Sequence, residues 1–326
     1  MEKSVTLKDI QEARQRILNV SYRTPLYRYP RLSALIGADV HLKLESFQPI
    51  RVFKIRGASN KILKLSPHER RRGFVAASSG NHGLAVSYVA NMVGANATII
   101  VPTTAVEEKV RAIEEYGGQV IKHGLFHDER MNKAIEIQKA TNSIFVPPFD
   151  DPDIIAGQGT IGLEIIEDLP DVDTVIVPIG GGGLISGIST AMKTLKPATK
   201  VVGVEPERAA SMYQSIRTGK ITRLTDTQTI ADGLAPREPG SITFAIAKAN
   251  VDEILLVTEE EIKKAVYTVF QECHLVIEPS AAAAVAALFK WKPRKTKEQI
   301  ALVISGGNIS MKFLSDTLSK YGQNPK

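Results

Sequence analysis

The sequence predicts an α/β protein built from two open parallel-sheet domains, a smaller one inserted in a larger one. Three observations carry this. From Gly73 onward, short β-branched or apolar runs alternate with longer amphipathic ones, the signature of a parallel sheet with helices on its faces. The alternation comes in two series, separated by the turn-rich "PPFDDPD" at 147–153. Several strand runs feed directly into glycine- or serine-rich turns, where doubly wound sheets hold their ligands.

In chain order, "GFVAAS" reads as strand, "GLAVSYVANMVG" as helix, "ATIIVP" as strand, "AVEEKVRAIEEYG" as helix, "QVIKHG" as strand, "ERMNKAIEIQKAT" as helix and "SIFVPP" as strand. This first series closes on itself as a compact unit. The second runs through helix "GTIGLEIIEDL", strand "DTVIVPI", helix "LISGISTAMKTL" and strand "KVVGVEP", and ends in "QIALVISGGN", an apolar run entering a glycine turn. Residues 1–68 and 148–326 are therefore assigned to the larger domain and 69–147 to the smaller. No internal repeat, heptad run or low-complexity tract is visible, which removes solenoids and coiled coils.

A chain of 326 residues with 43% hydrophobic content can bury two ordinary cores. Its formal charge of +6 arises from 41 basic and 35 acidic residues scattered along its length. The densest basic run, "ERRRG" at 69–73, reads as a solvated helix end or turn. Nucleic-acid binding needs a basic stripe with interleaved aromatics, and 6% aromatic content without that pattern removes this partner. The single cysteine, Cys273, excludes an internal disulfide or a cysteine-cluster metal site and fits a reducing cytoplasm. "MEKSVTLKDI" carries charges where an export signal needs an apolar core, and "AAAAVAALF" is too short to span a bilayer. No membrane partner is expected.

Three strand-to-helix turns suit a ligand. In "IGGGGLISG" a strand at 173–179 enters Gly180, Gly181, Gly182 and Gly183, then a helix with Ser186 in its first turn. Converging backbone N–H groups and the helix N-terminus favour a phosphate there; a flexible link would need neither the strand nor the helix. The dinucleotide fingerprint fails because Ile185 stands where its third glycine belongs, and the Walker pattern fails because Ile188 stands where its lysine belongs. A compact monophosphate fits better. In "AASSGNHGLA", Ser78, Ser79, Gly80, Asn81, His82 and Gly83 form either a neutral clamp for a carboxylate or a doubly capped helix start. A histidine such as His82 is more often a hydrogen-bonded structural residue than a catalyst. In "VISGGNIS", Ser305 ends an apolar strand and can point a hydroxyl into a pocket.

The remaining anomaly is "SFQPIRVFKIRGASN" at 46–60, where Arg51, Lys54 and Arg56 crowd a helix start that ordinarily favours acids and caps. Either this is a solvated basic face, or the positive potential lowers the pKa of Lys54 toward a nucleophilic amine.

Taken together, "RTPL", "HLKLES", "FKIRGA", "SSGNHG", "GGGGL", "VEPE", "TIADGLA", "EPSAAA" and "SGGN", in this order over nearly the whole chain, resemble the fold-type II pyridoxal-phosphate enzymes. Within them the chain is similar to the threonine dehydratase and serine racemase family. The resemblance implies a tryptophan synthase β-subunit-like fold with the cofactor in the cleft between the domains. It implies that Lys54 forms the Schiff base and serves as catalytic base. Phe53 would pack by the ring, Asn81 would bond the ring 3-oxygen, Gly180 to Gly183 and Leu184 would hold the phosphate, and Ser305 would face the pyridine nitrogen. Ser78, Ser79, Asn81, His82 and Arg51 would border the substrate. Ser79 occupies the place where racemases of the family keep an acid.

The implied reaction is β-elimination from a 3-hydroxy amino acid, converting threonine to 2-oxobutyrate and ammonia, or serine to pyruvate and ammonia. Racemisation of serine or another amino acid, or elimination from a different 3-hydroxy amino acid, is the alternative. More distant readings are a dinucleotide-binding oxidoreductase with Glu205 on the ribose, and a sensor without turnover. The chain departs from the family at Ile50, Arg51 and Val52, which stand in place of Thr-Gly-Ser. In the family's divalent-cation site, for Mg or Ca, Glu205 and Ala209 match, but Ser211 replaces an aspartate and weakens a hard-cation site. The chain has no room for a regulatory C-terminal domain, and a homo-oligomer, dimer or tetramer, is expected.

Overall fold

Ten strands form two sheets in the computed structural model, which describes residues 5–322 apart from 79, 106 and 126. The strands are β1 (Leu26–Arg28), β2 (Asp39–Leu44), β3 (Phe74–Ala77), β4 (Ala97–Val101), β5 (Gly118–Lys122), β6 (Ile144–Phe145), β7 (Thr174–Pro178), β8 (Lys200–Pro206), β9 (Glu253–Val257) and β10 (Gln299–Ile304). The larger sheet has the order β1-β2-β10-β7-β8-β9, parallel except for the antiparallel edge strand β1. The smaller sheet, β5-β4-β3-β6, is parallel throughout and lies in sequence between β2 and β7.

Covering helices explain the sequence pattern. β7 and β3 are buried at every position, as expected of strands with helices on both faces, and so read as unbroken apolar runs. On one face of the larger sheet Val175, Val177, Ala301 and Val303 pack with Ile161, Ile165, Ile185 and Ile188 from helices Pro152–Asp168 and Gly183–Leu195. On the other, Leu42, Ile176, Val202 and Leu302 meet the alanine-rich helix Pro279–Leu288, all ten residues of which are buried. The run "AAAAVAALF" is thus, up to Leu288, the wall of a buried core, with small side chains letting the helix lie close to the sheet. Among the described residues no helix is long and apolar enough to cross a membrane. The run "ERRRG" ends the short helix Pro67–Arg70 and its turn, and Cys273 ends the helix Glu259–Cys273, where burial pushes its thiol up to about 11.

The helix Lys54–Lys64 sits between the two sheets. Its Ile55, Ala58 and Ile62 join Phe74, Ala76, Leu84 and Val86 in the core of the smaller sheet, with Ile154 from the larger part completing the cluster. Arg56, on the same helix, is 1% exposed. Its guanidinium donates through Nε and Nη2 to Glu45, at 2.8 Å each, and through Nη1 and Nη2 to Glu164, at 2.7 and 2.9 Å. Lys43 Nζ, also fully buried, lies 2.6 Å from Glu164. The basic residues at this helix start are therefore divided: Arg51 is exposed, whereas Arg56 belongs to a buried cluster of two cations and two anions.

Candidate active site

The cleft lies where strands of both sheets end, and its floor is the start of the helix Lys54–Lys64. Lys54 Nζ donates to the carbonyl of Pro148 at 2.7 Å, beyond β6, and sits 5.2 Å from the centre of the Phe53 ring. Burial pulls its pKa down to about 8, although Glu278 opposes that shift. The cause differs from the cationic potential expected from the sequence, because Glu45 and Glu164 neutralise Arg56 and desolvation of the amine does the work. Phe53 N donates to the carbonyl of Ser305 at 3.0 Å, which ties this floor to the end of β10.

One wall is the amide of Asn81, at the start of helix Asn81–Met92. Asn81 Nδ2 donates to both carboxylate oxygens of Glu278, each at 2.9 Å, and Asn81 Oδ1 accepts from Asn308 Nδ2 at 2.9 Å. Those partners orient the amide from both sides. Burial, reinforced by Asp232, pushes Glu278 up to about 7 against the pull of Asn81, Lys109 and Lys54.

The opposite wall is the glycine turn after β7. A β-carbon on Gly181 would lie 2.3 Å from the Phe149 ring, and Gly182 has φ of +97° with Met212 Cε 2.7 Å from where its β-carbon would stand. Only glycines let this turn approach so closely. Thr243 Oγ1 donates to the Gly181 carbonyl at 2.7 Å and pins the turn. The helix Gly183–Leu195 has no side-chain cap, so its first-turn N–H groups are available to an anion. The narrow cleft so formed also takes in Leu184 and Ser305. Ser305 is 3% exposed, and its hydroxyl has no hydrogen-bond partner among the described residues.

A half-buried amine of lowered pKa facing an anion cradle suits an aldehyde-bearing phosphate cofactor, and the comparisons agree. The model of the family described as "Pyridoxal-phosphate dependent enzyme" matches residues 17–306. The chain belongs to that family. It is 46% identical over 316 residues to L-threonine ammonia-lyase of Thermotoga maritima, covering 97% of this chain and 79% of the relative. It is 36% identical over 320 residues to L-threo-3-hydroxyaspartate ammonia-lyase of Saccharomyces cerevisiae, covering 98% of each. Among solved structures, maize serine racemase superposes with a TM-score of 0.93 at 34% identity, covering 99% of both chains. The fold is that of the fold-type II pyridoxal-phosphate enzymes.

The residues fit the pyridoxal phosphate of the family: an amine for its aldehyde, a glycine cradle for its phosphate, an amide and a hydroxyl along its ring. Other residues singled out from the sequence lie elsewhere. Ser78 Oγ accepts from the N–H groups of Gly80 and Gly83, at 3.0 and 2.8 Å, so this hydroxyl caps the turn. The buried His82 ring meets the Val146 carbonyl through Nε2 at 2.9 Å. Ser79 lies outside the described residues. Arg51 lines a second, outer chamber that adjoins the cleft at Asn81.

The residues do not fit a divalent cation. Both Glu205 oxygens are committed, accepting from Met212 N at 2.9 Å and Tyr213 N at 2.8 Å at the start of helix Ser211–Thr218. Burial raises this carboxyl to about 8 in spite of those bonds. With a neutral hydroxyl at Ser211 and the backbone of Ala209 as the other candidates, the set carries at most one negative charge. Here Glu205 caps a helix.

In the sequence Glu278 stands out only as the first residue of "EPSAAA". No local signal distinguishes it, since its partners lie far away in the chain.

Proposed function

We propose that this protein is an ammonia-lyase acting on 3-hydroxy amino acids, converting threonine to 2-oxobutyrate and ammonia and serine to pyruvate and ammonia. The single observation that carries the reading is Lys54: a half-buried amine at about 8, facing a glycine cradle across a narrow cleft. Bound pyridoxal phosphate supplies an aldehyde that links to amines and a ring that delocalises the electron pair left at the α-carbon. Lys54 would hold it through Nζ, Gly180 to Gly183 and Leu184 would hold its phosphate, Phe53 would pack by its ring, Asn81 would bond its ring oxygen, and Ser305 would face its ring nitrogen.

Lys54 Nζ would also be the base that takes the α-proton. At a pKa of about 8, roughly one amine in ten is neutral at pH 7, against roughly three in ten thousand for an unperturbed lysine. Glu278 and Asn308 would position the Asn81 amide for its bond to the ring oxygen. A neutral Ser305 leaves the ring nitrogen without a counter-charge, which limits how far negative charge is drawn into the ring and favours prompt loss of the β-hydroxyl.

We further infer the division of the chain into 1–68 with 148–326 against 69–147, with the helix Lys54–Lys64 as the element both parts share. A homo-oligomer in the cytoplasm, with the lone Cys273 thiol buried, completes the reading. Steady-state release of oxo acid from threonine and serine by the pyridoxal-phosphate-loaded protein tests it. Formation of D-serine without oxo acid would favour racemisation and overturn the lyase reading.

A further inference from the structure

Arg51 has φ of +59°, in the left-handed region that side chains other than glycine's avoid. The surrounding chain holds the conformation firmly. Arg51 N donates to the Gln48 carbonyl and Gly307 N donates to the Arg51 carbonyl, both at 2.8 Å. Val52 pairs with Gly306 in an antiparallel bridge, and Asn308 Nδ2 donates to the Ile50 carbonyl at 3.1 Å. Ile50 and Val52 are buried, at 2% and 0% exposure, so Arg51 is the one residue of the three that presents its side chain to the chamber.

That chamber is partly open to solvent and meets the cofactor cleft at Asn81. Beside Arg51 its wall is uncharged, formed by Gly307, Asn308, Ile309 and Ser310. Across it, Lys109 is neutralised by its ion pair with Asp232, and Glu108 stands exposed on the helix Glu107–Glu115. The Arg51 guanidinium has no ion pair or hydrogen bond among the described residues. A solvent-facing turn here would be served better by glycine.

We propose that Arg51 selects substrates, binding a second carboxylate at the far end of a 3-hydroxy amino acid. The planar guanidinium matches a carboxylate with two parallel hydrogen bonds, and Asn81 places the chamber next to the reacting end. The preferred substrate class is then a 3-hydroxy amino dicarboxylic acid, of which 3-hydroxyaspartate, serine with a carboxylate on its β-carbon, is the smallest. This inference rests on the ammonia-lyase reading for its chemistry, but its binding geometry is tested separately.

The experiment compares the pyridoxal-phosphate-loaded native protein with Arg51→Gly and Glu108→Gln. Glycine adopts φ of +59° without strain, so Arg51→Gly keeps the fold. The ratio of kcat/KM for L-threo-3-hydroxyaspartate over threonine should fall about tenfold to a hundredfold in Arg51→Gly. It should rise in Glu108→Gln, which removes the anion opposite. Calorimetry with L-aspartate and L-alanine, which lack the leaving hydroxyl, reads binding without turnover: the native protein should favour aspartate and Arg51→Gly should not. An unchanged ratio in Arg51→Gly, or aspartate bound no better than alanine by the native protein, overturns the proposal. Equal loss on every substrate in both variants also overturns it, because Arg51 and Glu108 would then be pairing with each other. Should no hydroxy amino acid be turned over, the lyase reading fails while the aspartate comparison still decides the role of Arg51.

Discussion

Replacing Arg56 by leucine should destabilise this protein by about 3 to 5 kcal/mol, the usual effect of removing one member of a buried ion cluster. The charge balance shows why. Arg56 and Lys43 face Glu45 and Glu164, all four of them buried. Leucine leaves one cation and two anions in the same space, and removes a further bond to Thr160 Oγ1 at 3.1 Å and one to the Tyr22 carbonyl at 3.1 Å. Glu164 keeps Lys43, whereas Glu45 keeps only neutral donors, Thr24 Oγ1 at 2.6 Å and Gln48 Nε2 at 3.1 Å. The loss should depend on pH. Burial pushes the Glu45 carboxyl up, yet Arg56 outweighs burial and holds it below its ordinary value of 4.5. A lowered carboxyl stabilises the native fold above its unfolded pKa, and that contribution disappears as pH falls. With Arg56 gone, only Lys43 and Thr24 still oppose burial; the folded pKa should rise above the unfolded one, so the variant weakens as pH rises. The gap between native and variant proteins should therefore be larger at pH 8 than at pH 5. Urea denaturation followed by circular dichroism at both pH values measures it. Adding Glu45→Gln to Arg56→Leu leaves Lys43 paired with Glu164 and should recover part of the loss. A gap under about 1 kcal/mol at both pH values, or a larger gap at pH 5, would refute the reasoning.

Three further outcomes follow from the cleft. Lys54→Ala should lower oxo-acid release at least about a thousandfold with the circular dichroism spectrum unchanged; borohydride reduction of the native protein should tag Lys54, and a tag mapped to another lysine would show the assignment to be wrong. Ser305→Asp should slow elimination at least about tenfold by raising the proton affinity of the ring nitrogen, and an unaltered rate would mean that residue 305 does not face the ring. Glu278 sits at about 7 rather than 4.5, so the native protein should lose stability as pH rises from 4.5 to 7, by about 3 kcal/mol from this group. Denaturation of Glu278→Gln should show that slope removed, and an equal slope in both proteins would place the titration elsewhere.

Sequence alone determined the alternation of strands and helices from Gly73 onward and the turn at Gly180 to Gly183, because these are local. A strand buried on both faces must be apolar throughout, and a turn pressed against a ring must lack β-carbons; both leave their mark within a few residues. The elements before Gly73 and between β8 and β10 were not legible in the same way, since β1 and β9 have mixed exposure and no simple period. Tertiary structure alone decided the chemistry. Lys54 meets the Pro148 carbonyl 94 residues away, and Asn81 meets Glu278 197 residues away. The pKa of each buried group reflects how much water the fold excludes and which charges it brings near. The same basic triplet shows the division: Arg51, Lys54 and Arg56 lie within six residues of one another, and the fold sends one to an open chamber, one to a dry cleft and one to a buried ion cluster. Desolvation and long-range pairing set those fates, and neither is a property of neighbouring letters.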